Sequence, residues 1–130
     1  MEFSVRTSGR NDFVNITNQV RRAVSESGVA DGICTIYVPH TTAAVTINEG
    51  ADPDVVRDII KQLDRVIPWN AGYSHAEGNA GAHIKSSIIG CSQHVPVDGG
   101  RLKLGTWQKI FFCEFDGPRT RRVMVNVVGK

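Results

Sequence analysis

No stretch of this chain stays apolar for the roughly 18 residues that a membrane-crossing helix needs. The opening run, Met-Glu-Phe-Ser-Val-Arg, lacks the charged-then-apolar pattern of a secretory signal. Both absences predict a cytoplasmic protein with no membrane partner. Cysteine is scarce too: there are three, an odd number, with no C-x-x-C spacing. That leaves no disulfide framework and no zinc-finger signature. Cys34 and Cys113 sit in apolar runs, where a free thiol acts as a small hydrophobe. Cys91 borders a polar segment, with nothing beside it in sequence to activate it. Charge of one sign is also lacking. A net charge of +2 argues against nucleic acid as a partner. The one basic cluster, Arg119, Arg121 and Arg122, reads as a solvated strand end ahead of an anion site. Internal repeats, low-complexity tracts and linkers are missing, so residues 1–130 are expected to form one domain.

What is present is an ordinary globular balance, 41% hydrophobic and 22% charged, in a chain long enough to bury a core. Residues 2–7 alternate as a strand does, and Gly9 to Asp12 reads as a turn. Ile16, Val20, Ala23 and Val24 repeat at helical spacing, with Asp12 or Asn15 as cap and Gly28 as stop. Residues 32–38 and 43–47 are β-branched strands on either side of a Pro39–Thr42 corner. Asp52, Pro53 and Asp54 start a helix whose apolar stripe runs Val55, Val56, Ile59, Ile60, Leu63, Val66. A loop over 69–82 leads to a short helix over 83–89. From Ser92 onward the pattern is β, with Pro96 marking an edge or bulge and Asp98-Gly99-Gly100-Arg101 a hairpin turn. About seven strands and two or three helices result, an α+β chain with a mainly antiparallel sheet.

Three polar clusters carry the chemistry. One is His40-Thr41-Thr42 with Asn48 and Glu49. The second is His75, Glu77, Asn79, His83, Lys85 and Ser86. The third is Gly105-Thr106-Trp107-Gln108, with Glu114 further along the same strand. His40, His75 and His83 have three readings. They are metal ligands, with Glu77 as a fourth, acid–base groups, or hydrogen-bonded structural residues. Their spacing matches no recognised zinc pattern. Lys85 near a helix start suits phosphate. Ser86 has no base at nucleophile spacing. Trp107 either stacks on a flat heterocycle or anchors the core. Glu114, in a row of apolar side chains, needs a cationic partner, Arg119 or Arg121.

Three stretches together resemble the YjbQ family along essentially the whole chain. They are His40-Thr41-Thr42-Ala43-Ala44-Val45-Thr46-Ile47-Asn48-Glu49, then His75-Ala76-Glu77-Gly78-Asn79 with Ala82-His83-Ile84-Lys85-Ser86, and Gly100 through Gly105-Thr106-Trp107-Gln108. The resemblance implies a β-sandwich or barrel-like core, a homotrimer, and polar pockets near subunit contacts lined by the histidines, Asn48, Glu49 and Gln108. It also implies secondary thiamine-phosphate synthase activity, joining an aminopyrimidine methyl diphosphate to a thiazole phosphate with release of diphosphate. In that reading His40, His75, His83 and Glu49 are catalytic. Thr41, Thr42, Asn48, Lys85, Ser86, Trp107, Gln108 and Arg119 bind substrate. On the metal-ligand reading of the residues themselves, the three histidines would hold a divalent cation, magnesium or zinc. Lys85, Arg119 or a bound divalent cation meets the leaving diphosphate, Trp107 stacks on the pyrimidine, and His83 or Glu49 handles the amino-group protons. Many relatives carry Asp-Asp-Met-Pro ahead of the second histidine, where this chain has Asn79-Ala80-Gly81. The competing functions are a metal-dependent hydrolase or transferase on another phosphorylated metabolite, and a trimer that binds a metabolite without turnover.

Overall fold

A computed structural model describes all 130 residues. The chain runs β1 (Glu2–Arg6), β2 (Asp12–Asn15), α1 (Thr17–Ser27), β3 (Asp31–Tyr37), β4 (Ala43–Glu49), α2 (Pro53–Val66), α3 (Ala80–Ile89), β5 (Ser92–Asp98), β6 (Arg101–Leu102), β7 (Gln108–Glu114) and β8 (Thr120–Gly129). The strands form two antiparallel sheets. One has five strands in the order β1-β8-β3-β5-β6, and the other has three in the order β2-β7-β4. The fold is α+β, with eight strands and three helices. The extra strand is β2, four residues flanked by turn-forming side chains and recruited by β7 through Phe13 opposite Cys113.

Register and side-chain period explain the layers. Cys34, Ile36, Val95, Val97, Val123 and Val125 point inward from the large sheet. They meet Val45, Ile110 and Phe112 of the small sheet, and Val20, Ala23 and Val24 of α1. The other face of the small sheet carries Phe13, Ala44, Phe111, Cys113 and Phe115, covered by Ala82 of α3 and the half-buried stripe of α2. The small sheet is therefore covered on both faces. That is why its strands read as continuous apolar runs and not as alternating ones.

Local signals set the boundaries. Asp52 caps α2 by accepting the Asp54 amide at 2.9 Å, and Pro53 takes the first helical position. Asn15 Oδ1 accepts the Thr17 amide at 3.0 Å at the start of α1. Gly28 closes α1 in the left-handed region. Gly99 and Gly100 both have positive φ in the β5–β6 turn. Pro96 lies where the short β6 ends its pairing with β5, at the sheet's edge. The loop after α2 is shorter than its sequence suggests. α3 begins at Ala80, because Ala80, Gly81 and Ala82 pack small side chains where the helix meets the sheet. A Cβ at Gly81 would lie 3.1 Å from the Pro68 carbonyl.

Candidate functional site

Register brings one rim together. Tyr37 pairs with Ser92 and Met124, and Ala43 pairs with Glu114. Residues 38–42, Cys91 and residues 115–121 therefore share one end of the sandwich, and the start of α3 closes the side. The result is a cavity of about 770 Å³ with mostly polar walls, among them His40, Thr41, Thr42, His83, Asp116 and Arg119.

Its floor is a buried ion pair. Glu114 is wholly buried and Arg121 is 3% exposed. Arg121 Nε donates to Glu114 Oε1 at 2.8 Å and its Nη2 donates to Glu114 Oε2. Nη2 also donates to Thr42 Oγ1 at 2.8 Å. Thr7 Oγ1 donates to Glu114 Oε1 at 2.8 Å, and the Asp116 amide donates to Glu114 Oε2 at 3.1 Å. Burial alone would raise the Glu114 pKa. The Arg121 hydrogen bonds, then the Asp116 amide and Thr7, outweigh it and leave the carboxyl below its ordinary value. Glu114 thus has the cationic partner it needs, and that partner is Arg121.

The basic cluster is a solvated strand end at Arg119 and Arg122, which are exposed, but not at Arg121. Arg121 is buried on Glu114, Arg119 Nη2 lies 3.2 Å from Asp116 Oδ2, and Arg122 pairs with Glu2. Apolar neighbours in β8 gave Arg121 an inward-facing position, which composition does not reveal.

His40 accepts the Arg122 amide on Nε2 at 2.9 Å. A backbone N–H is an obligatory donor, so the ring proton belongs on Nδ1. Burial, and next the Arg121 charge, hold the imidazole below its ordinary pKa. His83 reaches the cavity wall. His75 does not line it, but packs edge-on against His83 with ring centroids 5.2 Å apart. Glu77 and Asn79 also face the cavity. Asn79 Nδ2 donates to Asp116 Oδ2 at 2.9 Å, while its buried Oδ1 has no partner.

The remaining candidates lie elsewhere. Lys85 is 2% exposed and its ammonium is committed to Asp64, above the Phe115 ring. Ser86 Oγ donates to the Ala43 carbonyl at 2.6 Å, a structural bond between α3 and β4. Both belong to the buried face of α3. Asn48, Glu49, Trp107 and Gln108 sit at the opposite end of β4 and β7, where Glu49 pairs with Gln108. The seven-residue strand from Ala43 to Glu49 spans the gap, about 20 Å. There Glu49 Oε2 accepts the Asp52 amide at 3.1 Å, Gln108 Oε1 accepts the Gly105 amide at 2.8 Å, and Trp107 is 64% exposed. Within one subunit these four do not reach the cavity.

The three histidines do not make a metal centre in the subunit. No group of three His, Cys, Asp or Glu side chains is arranged to hold an ion, and the Arg122 amide occupies His40 Nε2. Sequence reasoning missed Tyr37, Asp116 and Arg121 as wall residues. Asp116 borders the Gly117-Pro118 turn, which was the one local signal for it. Tyr37 and Arg121 required the strand register.

An antiparallel α+β sandwich with a polar cavity at one rim defines the class. The family model described as UPF0047 protein YjbQ-like matches residues 1–130. The chain is 53% identical over 128 residues to a UPF0047 protein of Methanocaldococcus jannaschii, covering 98% of this chain and 93% of that one. It is 51% identical over 126 residues to UPF0047 protein YugU of Bacillus subtilis, covering 96% of each. A crystal structure of a YjbQ/UPF0047 family protein from Clostridium acetobutylicum matches with a TM-score of 0.97 at 55% identity, over 98% of this chain and 99% of that one. A YbjQ-like protein of unknown function from Sulfolobus solfataricus matches with a TM-score of 0.96 at 35% identity, over 100% of this chain and 96% of that one. The chain belongs to the YjbQ (UPF0047) family.

Proposed function

We propose that the protein is a small-molecule transferase acting on phosphorylated substrates at this cavity, with secondary thiamine-phosphate synthase chemistry as its reaction. One observation carries the reading: His40 and Thr42, His83, and Arg119, from three separate stretches of chain, line a single polar cavity. In the reaction the thiazole nitrogen attacks the pyrimidine methylene carbon. A C–N bond forms, the C–O bond to diphosphate breaks, and its electron pair leaves with diphosphate.

On this reading the roles are redistributed. Arg119, half exposed at the wall, meets the charge growing on the leaving group. Lys85, tied to Asp64, has no part in that. Tyr37 is the aromatic wall for the pyrimidine, the role sequence reading assigned to Trp107. His83 exchanges the amino-group proton. His40 acts through Nδ1–H as a neutral donor, since Nε2 is engaged. The subunits assemble in the cytoplasm as a homotrimer, the arrangement that would bring the Asn48–Glu49–Gln108 end of one subunit toward the cavity of the next.

Purified protein supplied with both precursors should form thiamine phosphate and diphosphate. Arg119→Gln and His83→Ala should each lower the rate about a hundredfold, as loss of a charge-stabilising or proton-transferring group does. Equal rates in wild type and His83→Ala would remove His83 from the mechanism.

A further inference from the structure

We propose that Asp116 is the specificity-determining residue of the cavity: its carboxylate holds on Arg119 the place of the ligand's anionic group, so that a phosphate or diphosphate binds there and a simple carboxylate does not. This rests on the reading of the cavity as a site for phosphorylated molecules, and deepens it.

Both guanidiniums lining the cavity already have a carboxylate partner, so an incoming anion shares or displaces one. The two pairs differ sharply. The Arg121 side chain is 4% exposed, donates twice to Glu114 and once to Thr42 Oγ1. Pulling it away would strand two buried charges. The Arg119 side chain is 49% exposed and its link to the Asp116 carboxylate is a single 3.2 Å contact. Pairs of that kind are weak, so Arg119 is the one that yields.

Arg119 is also held ready. Its amide donates to Thr7 Oγ1 at 2.9 Å, its carbonyl accepts the Thr7 amide at 3.0 Å, and its Nε donates to the Asp116 carbonyl at 3.0 Å. The backbone is fixed, and the half-exposed guanidinium lines the cavity. Asp116 stays when displaced, because Asn79 Nδ2 holds its carboxylate at 2.9 Å and its amide is bound to Glu114. A free carboxylate equals Asp116 in charge but lacks its intramolecular advantage. Repulsion from Asp116 and from Glu77, the other carboxylate of the wall, falls on every anion and does not favour the carboxylate. A phosphate brings more charge and more acceptor oxygens, and it wins the exchange.

The test is calorimetric titration of the full chain with inorganic diphosphate and, separately, acetate. Wild type should bind diphosphate and not acetate. Asp116→Asn keeps the shape and can still accept from Asn79, but removes the competing charge. It should bind diphosphate about tenfold more tightly and bind acetate measurably, and Asp116→Ser should change in the same direction. Arg119→Gln should bind neither. Unchanged or weaker diphosphate binding in both Asp116 variants, with wild type still binding, would overturn the role of Asp116 and leave the cavity reading standing. No diphosphate binding by wild type or either Asp116 variant would overturn both.

Discussion

Glu114 accepts four hydrogen bonds, two from the Arg121 guanidinium, one from Thr7 and one from the Asp116 amide. A single buried carboxylate thus ties the Thr42 corner, the Asp116–Arg119 turn and β8 into one rim. Glu114→Gln keeps the shape and leaves Arg121 buried without a counter-charge, so chemical denaturation should find it less stable by about 3–5 kcal/mol. Acid acts on the same pair. The folded-state pKa of Glu114 lies below its ordinary value of 4.5. Its contribution is complete above that value and is lost as pH falls from there through the folded-state pKa. His40 acts earlier. Its folded-state pKa lies below the ordinary 6.5, so the unfolded chain takes up that proton first and stability falls once pH drops below 6.5. Melting temperature against pH should decline in two stages, and His40→Gln should lack the first. A single decline common to both proteins would contradict this. Gly117 belongs here as well: a Cβ on it would lie 2.5 Å from the Gly9 carbonyl and 2.8 Å from Glu114 Cγ. Only glycine allows the turn to pack so close to the carboxylate.

At the scale of elements, legibility followed burial pattern and capping. The α1 stripe, the Asp52-Pro53 start of α2 and the Gly99-Gly100 hairpin were readable because each rests on local chemistry. β2 was not, since Phe13 and Val14 between Asp12 and Asn15 give too short an alternation, and only pairing with β7 makes them a strand. The start of α3 was hidden by Gly81, which reads as loop and is there for close packing. α2 is the loosest helix. None of its residues is buried, and Val66 is 65% exposed. Its polar anchor is Asp64, bound to Lys85 and to Asn11 Nδ2 at 3.0 Å. Asp52→Ala should cost about 1 kcal/mol through the lost cap. Hydrogen exchange should find residues 53–66 opening before β3 and β8, and faster still in Asp64→Asn. Exchange of α2 in step with those strands would contradict a separately opening helix.

For the whole molecule, the candidate site was half legible. His40, Thr41, Thr42, His83 and Arg119 could be chosen as polar residues in loop and rim contexts, and they meet. Lys85 and Ser86 share the same motif but face the interior of α3, which the sequence around them does not disclose. Asn48, Glu49, Trp107 and Gln108 lie a strand's length away, so they join the cavity only if subunits assemble. The outward face of the large sheet exposes Ile33, Tyr37, Met124 and Val128, apolar area of the kind that marks association. Sedimentation should give three times the 14.2 kDa chain mass, and a monomeric mass would leave Asn48, Glu49, Trp107 and Gln108 outside the site. The central claim is turnover at the rim cavity, and a single assay addresses it: formation of thiamine phosphate from the two phosphorylated precursors, compared between wild type and Arg119→Gln. The account predicts product from wild type and about a hundredfold less from Arg119→Gln. No product from wild type, or equal product from both, would contradict it.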